Sequence, residues 1–144
     1  MRGPSGACVI LLDTHVAHWF TINDPRLGRR AWNKIQNAFE TDTVALSSFT
    51  VWDAGYQVKR GRVLFPDGLT IAKWWDGLLA QGVTELVANS AILFRAFELA
   101  WAENDPADRI IVATALHHNI ELVTADRNML DWNCADLKTL NARK

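Results

Sequence analysis

Four aspartates, Asp13, Asp53, Asp108 and Asp126, lie far apart in a chain of 144 residues, each at a point where a fold could gather it with the others. Carboxylates facing one another repel and resist ionising, and a hard divalent cation removes that conflict. A site built only of oxygen ligands suits Mg²⁺ or Mn²⁺, and a cation held there makes water a better acid. For any one aspartate alone, helix capping or a surface ion pair is the simpler account. Four on one expected rim reverse that judgement.

The elements around them say why one rim is expected. Residues 8–12, Cys-Val-Ile-Leu-Leu, form a continuous apolar run, as for a strand covered on both faces, and it stops at Asp13-Thr14, a helix start. Leu122-Val123-Thr124 reads as another strand, with Asp126 one alanine beyond it. Ligands of open α/β sheets bind beyond the carboxyl ends of the strands, which puts Asp13 and Asp126 together. In Asp105-Pro106-Ala107-Asp108, Asp105 is placed as an N-cap and Asp108 near a capping-box position. Ile111, Val112 and Ala115 share the helix face of Asp108, however, so its carboxylate should point towards the protein body. Asp53 is flanked by Phe49 and Tyr56 at helical spacing and faces the same question.

Between these points the chain alternates short apolar runs with helical stripes. Asp24-Pro25 is expected to open a helix bearing Leu27, Ala31, Ile35 and Ala38. Val44-Ala45-Leu46 reads as a strand, and Ser47 or Ser48 as the cap of a helix that runs towards Lys59 and stops at Gly61. A helix around Trp74-Trp75 ends at Gly82, and 83–87 could be a third strand. Asn89 or Ser90 caps a helix expected to include Leu99 and Ala100, Asp105-Pro106 starts one reaching His118, and 128–130 makes a short turn. Residues 137–140 could be a last edge strand. Strands alternating with helices imply right-handed crossovers and a three-layer α/β/α domain on a central parallel sheet of four to five strands.

Composition narrows the class. The length fits one compact domain, residues 1–144, and 49% hydrophobic residues with seven tryptophans supply a core. A net charge of −1 gives no global attraction to polyanions, so a nucleic acid would need a local basic patch, bound cations or both. The first seven residues do not read as a signal peptide, and no run approaches the length of a membrane span. Cys8 and Cys134 lack metal-ligand spacing and fit a reducing compartment, which points to the cytoplasm.

Leu11-Leu12-Asp13-Thr14-His15, the serine-rich entry to Val51-Trp52-Asp53, Asp105-Pro106-Ala107-Asp108-Arg109 running into Ala113-Thr114-Ala115, and Leu122-Val123-Thr124-Ala125-Asp126 together resemble the PIN-domain nucleases. Within that family they are most similar to VapC-type toxins of bacterial toxin–antitoxin pairs. The resemblance implies a Mg²⁺- or Mn²⁺-dependent endoribonuclease, with Asp13, Asp108 and Asp126 as metal-binding acids. It also implies an RNA substrate, a cognate antitoxin and a homodimer. Asp53 stands where these toxins usually carry glutamate, and its oxygens start about 1.5 Å further back. It would hold the attacking water or act as a base. Thr14 matches a supporting hydroxyl, and Asp105 an outer helper.

Other residues have plainer alternatives. Lys59 and Arg60, with Arg62 close behind, could contact phosphate or simply sit well at a helix C-terminus. Arg109 could bind substrate phosphate, but a salt bridge to Asp105 is the simpler reading. His15 and His18 could bind a transition metal, though hard carboxylates dominate the rim and His15 better fits a supporting role. His117-His118 lies at a helix end. Trp74-Trp75 should not both face one core, which would leave one for a dimer or antitoxin surface. The competing functions are a catalytically silent PIN-like binding module, a PIN nuclease of RNA maturation, and a receiver- or phosphatase-like domain. The phosphatase type would want aspartate where His15 stands.

Overall fold

The computed structural model describes residues 8–144, so the reading of the first seven residues lies outside it. Five parallel strands form one sheet in the order β3-β2-β1-β4-β5: β1 Ile10–Leu12, β2 Val44–Ser47, β3 Thr84–Leu86, β4 Glu121–Thr124 and β5 Thr139–Asn141. The helices are α1 Thr14–Ile22, α2 Arg29–Glu40, α3 Phe49–Lys59, α4 Ile71–Ala80, α5 Ser90–Glu98, α6 Pro106–His118 and α7 Arg127–Asp131.

Alternation along the strands builds two cores. Ile10 and Leu12 of β1 and Val44 and Leu46 of β2 face one layer, where Val16, Ala31, Ile35 and Trp74 pack from α1, α2 and α4. Val9, Leu11 and Ala45 face the other, against Ile111, Val112 and Ala115 of α6 and Met129 of α7. A smaller cluster, Ile92, Ala96, Ile110 and Ala113, fixes α5 on the back of α6. Helix α3 packs against α1, α4 and α6, and so carries Asp53 to the edge between the two layers.

Three expectations change. Asp24-Pro25 opens a turn and not a helix. The Asp24 carboxylate accepts from the Arg26 amide at 2.9 Å and from its guanidinium at 3.0 and 2.8 Å, and α2 starts only at Arg29. That start is tied to the far end of the chain: the amides of Gly28 and Arg30 donate to the carbonyls of Ala142 and Lys144, and a Cβ on Gly28 would collide with the Lys144 backbone. Trp74 and Trp75 are both buried in the same core, with Trp74 Nε1 donating to Thr21 Oγ1 at 2.8 Å. Neither tryptophan is left for a partner. Finally, α5 ends at Glu98, and Leu99 is extended, outside the helix.

Candidate active site

The chain moves from one side of β1 to the other between β3 and β4, so the sheet's switch point lies between β1 and β4. Asp13 follows β1 and Asp126 follows β4 there, both at strand carboxyl ends. Thr124, unmarked by the sequence reading, joins them. Its hydroxyl donates to Asp13 Oδ2 at 2.7 Å and accepts from the Asp126 amide at 3.0 Å. Asp13 is buried, caps α1 by accepting from the Thr14 amide at 2.8 Å, and meets His15 Nδ1 at 3.5 Å. His15 Nε2 accepts from the Ala125 amide at 3.1 Å, which puts the ring proton on Nδ1, facing Asp13. His15 thus lies between Asp13 and the end of β4.

Asp13, Asp53 and Asp108 line one cleft of about 510 Å³, together with Thr14, Asp105 and Gln57. Burial pushes the Asp108 carboxyl up to about 8, and Asp13, Asp105, Asp126 and Glu103 add to the rise by repulsion. Burial also raises Asp53, against hydrogen bonds from Thr14 and Gln57 that favour its charged form. Asp105 supplies the cap of α6, accepting from the Ala107 and Asp108 amides at 2.8 and 3.2 Å, so capping does not engage the Asp108 side chain. Asp126 does not line the cleft. One of its oxygens caps α7 by accepting from the Asn128 and Met129 amides, while its charge reaches Asp108.

Hard oxygen donors crowded until one resists ionising are the donor chemistry that suits Mg²⁺ or Mn²⁺, and in that sense the residues fit. Among the described residues no three such side chains stand as a preformed metal-ligand group.

The basic residues are distributed differently from expectation. Arg109 makes no salt bridge to Asp105. Its Nε donates to the Ala96 carbonyl, one terminal nitrogen to those of Trp101 and Glu103, and the other to those of Phe97 and Leu99, at 2.8 to 3.3 Å. All five guanidinium donors are used, which ends α5 at Glu98 and leaves none for a phosphate. Arg60 lies over Tyr56 and donates to its hydroxyl, and neither it nor Lys59 lines the cleft. Arg62 does. Glu103, also missed, accepts from the Asp105 amide at 3.1 Å and from Asn128 Nδ2 at 2.7 Å, clamping the start of α6 to α7. Its only sequence signal is an acid two residues before a cap.

Fold and site define an α/β domain with an acid-lined cleft at its switch point, and the chain belongs to the PIN-domain family, whose profile matches residues 10–132. It is 33% identical over 121 residues to a Mycobacterium tuberculosis protein named Ribonuclease VapC22, covering 83% of this chain and 88% of that protein. Among solved structures, VapBC2 from Rickettsia felis bound to promoter DNA superposes with a TM-score of 0.66 at 16% identity, over 92% of this chain and 98% of that one. FitAcB from Neisseria gonorrhoeae gives 0.55 at 23% identity, over 93% and 98%. At those identities the structures speak for the fold alone.

Proposed function

We propose that this protein is a Mg²⁺- or Mn²⁺-dependent endoribonuclease, the toxin of a toxin–antitoxin pair. The observation that carries the reading is the Asp108 carboxyl, pushed up to about 8 among other acids in a cleft at the sheet's switch point. A carboxyl crowded by other acids in a cleft is a candidate for cation binding, which would relieve the repulsion. The relative named as a ribonuclease, similar over most of the chain, supports RNA as the substrate.

Asp13, Asp108 and Asp126 would hold the cation, with Thr124 and His15 orienting Asp13. The chemistry that Mg²⁺ or Mn²⁺ supplies when bound is a more acidic water and offset of charge on the leaving oxygen. Asp53, half-buried and raised, would take a proton from the attacking water or orient it, with Gln57 steadying the carboxylate from 3.5 Å. Its reach is shorter than that of the usual glutamate, and Asp53→Glu tests whether the extra methylene strengthens cation binding.

One of the similar structures is described as a toxin–antitoxin complex, from Klebsiella pneumoniae, which supports an antitoxin as partner. A homodimer goes with the same reading, as does a cytoplasmic location, where RNA is met. The test is cleavage of total RNA by purified protein with Mn²⁺. Wild type should cut, and Asp108→Asn should cut at least about 100-fold more slowly, the scale of losing a group that acts on the transition state. Equal cleavage by the two proteins would sink the site assignment.

A further inference from the structure

The cleft does not end at the acids. It continues between the second half of α1 and residues 62–65, where its lining changes from carboxylates to Ile22, Val63, Leu64 and Phe65, with Arg62 at the rim. At about 510 Å³ the whole is far larger than a hydrated cation needs and lies within the range of organic-ligand sites. Two features of this far half are unexplained by folding. Leu64 is 80% exposed beside Phe65, an apolar side chain held out at a polar rim. His18 is buried and stacked on Phe65, yet its Nδ1 has no hydrogen-bond partner. An orphaned buried nitrogen is costly, and a turn of the ring would offer it to a polar ligand edge.

The charges are equally particular. Arg26 also lines the cleft, but Asp24 neutralises it through a paired contact. Arg62 makes no ion pair among the described residues and is exposed. A lone cation next to an apolar, aromatic-walled bay is the arrangement that holds single-stranded RNA, with the phosphate on the cation and an unstacked base on the apolar surface. We propose that this half of the cleft seats one unstacked RNA base beside the phosphate that is cut, with Arg62 holding a backbone phosphate and Leu64 and Phe65 flanking the base. The proposal rests on the nuclease reading but concerns binding and is tested separately from it.

The probe is a single-stranded oligoribonucleotide of about ten residues, in four single-base versions, against a ribose-phosphate strand of the same length without bases. Binding is measured in Ca²⁺, which takes oxygen ligands but does not favour the tight octahedral geometry of Mg²⁺. Arg62→Gln should weaken binding of both kinds of strand about 5-fold and lower the salt dependence by about 0.7 in slope, one phosphate's share. Leu64→Ala should weaken the base-bearing strands about 3- to 10-fold and leave the baseless strand unchanged. Both side chains are exposed, so thermal melting should match wild type and exclude misfolding. Loss of neither effect can be absorbed: variants that bind every strand like wild type overturn the seat. Cleavage with Mn²⁺ separates the two readings. Wild type that shows this binding pattern but cuts nothing supports the seat and overturns the nuclease. Wild type that cuts, with KM unchanged in both variants, overturns the seat alone.

Discussion

On the proposed reading, Asp108 would carry charge in a setting that resists it. Its carboxyl is pushed up to about 8, first by burial and then by Asp13, Asp105, Asp126 and Glu103. In the unfolded chain the same group ionises near 3.8, so in the cation-free protein folding favours the protonated form. The stability this contributes is complete below pH 3.8 and is lost as pH rises through about 8. Discounted for the solvent that reaches the group, the loss between pH 6 and 9 is about 1–2 kcal/mol. Melting in EDTA should therefore fall by several degrees across that range. Asp108→Asn should flatten the fall, and Mg²⁺ should do so in wild type, because a cation rewards the ionised form. A cation-free melting temperature that rises over this range would contradict the assignment of Asp108 as the strained carboxyl. Asp53, raised for the same leading reason, also contributes stability that is lost as pH rises above its unfolded value.

At the scale of elements, the approach to α6 is held by the guanidinium of Arg109, and its first turn by the Asp105 cap. Five carbonyls from Ala96 to Glu103 converge on it, so the loop carrying Glu103 and Asp105 is folded around one side chain. Arg109→Ala should destabilise the protein by about 3 kcal/mol, since it leaves carbonyls unpaired in a half-buried place. Arg109→Lys should recover only part, because an ammonium has three donors and no planar fork. Chemical denaturation measures both, and a fully restored Lys variant would mean that charge and not the fork is what matters. Such an arrangement is hard to read from sequence, because backbone carbonyls are the same in every residue. The same reason hid the end of α5. By contrast Asp13 and Asp126 were legible, since an apolar run that stops at an acid marks a strand end directly. Arg62 was obscured by Lys59 and Arg60: Gly61, at φ +70°, turns the chain after α3 and sends only the last of the three cations to the cleft.

For the molecule as a whole, what the fold leaves uncovered bears on its partners. Phe94 is 67% exposed and Phe97 84%, both on α5, and Trp52 is 59% exposed on α3, stacked on Tyr56 and tilted against Phe49. Helices α3 and α5 both pack on α6. Large aromatics held out in this number are a feature of association surfaces rather than of free ones. The buried Trp74-Trp75 pair removes the alternative surface that the sequence had suggested. If the homodimer forms through α5, wild type should sediment as a dimer at micromolar concentration. Phe94→Ser with Phe97→Ser should shift it to monomer with its melting little changed, because neither side chain contributes to the cores. A double variant that stays dimeric would place the contact elsewhere and leave α5 to a different partner. A wild type that is monomeric throughout that range would remove the dimer.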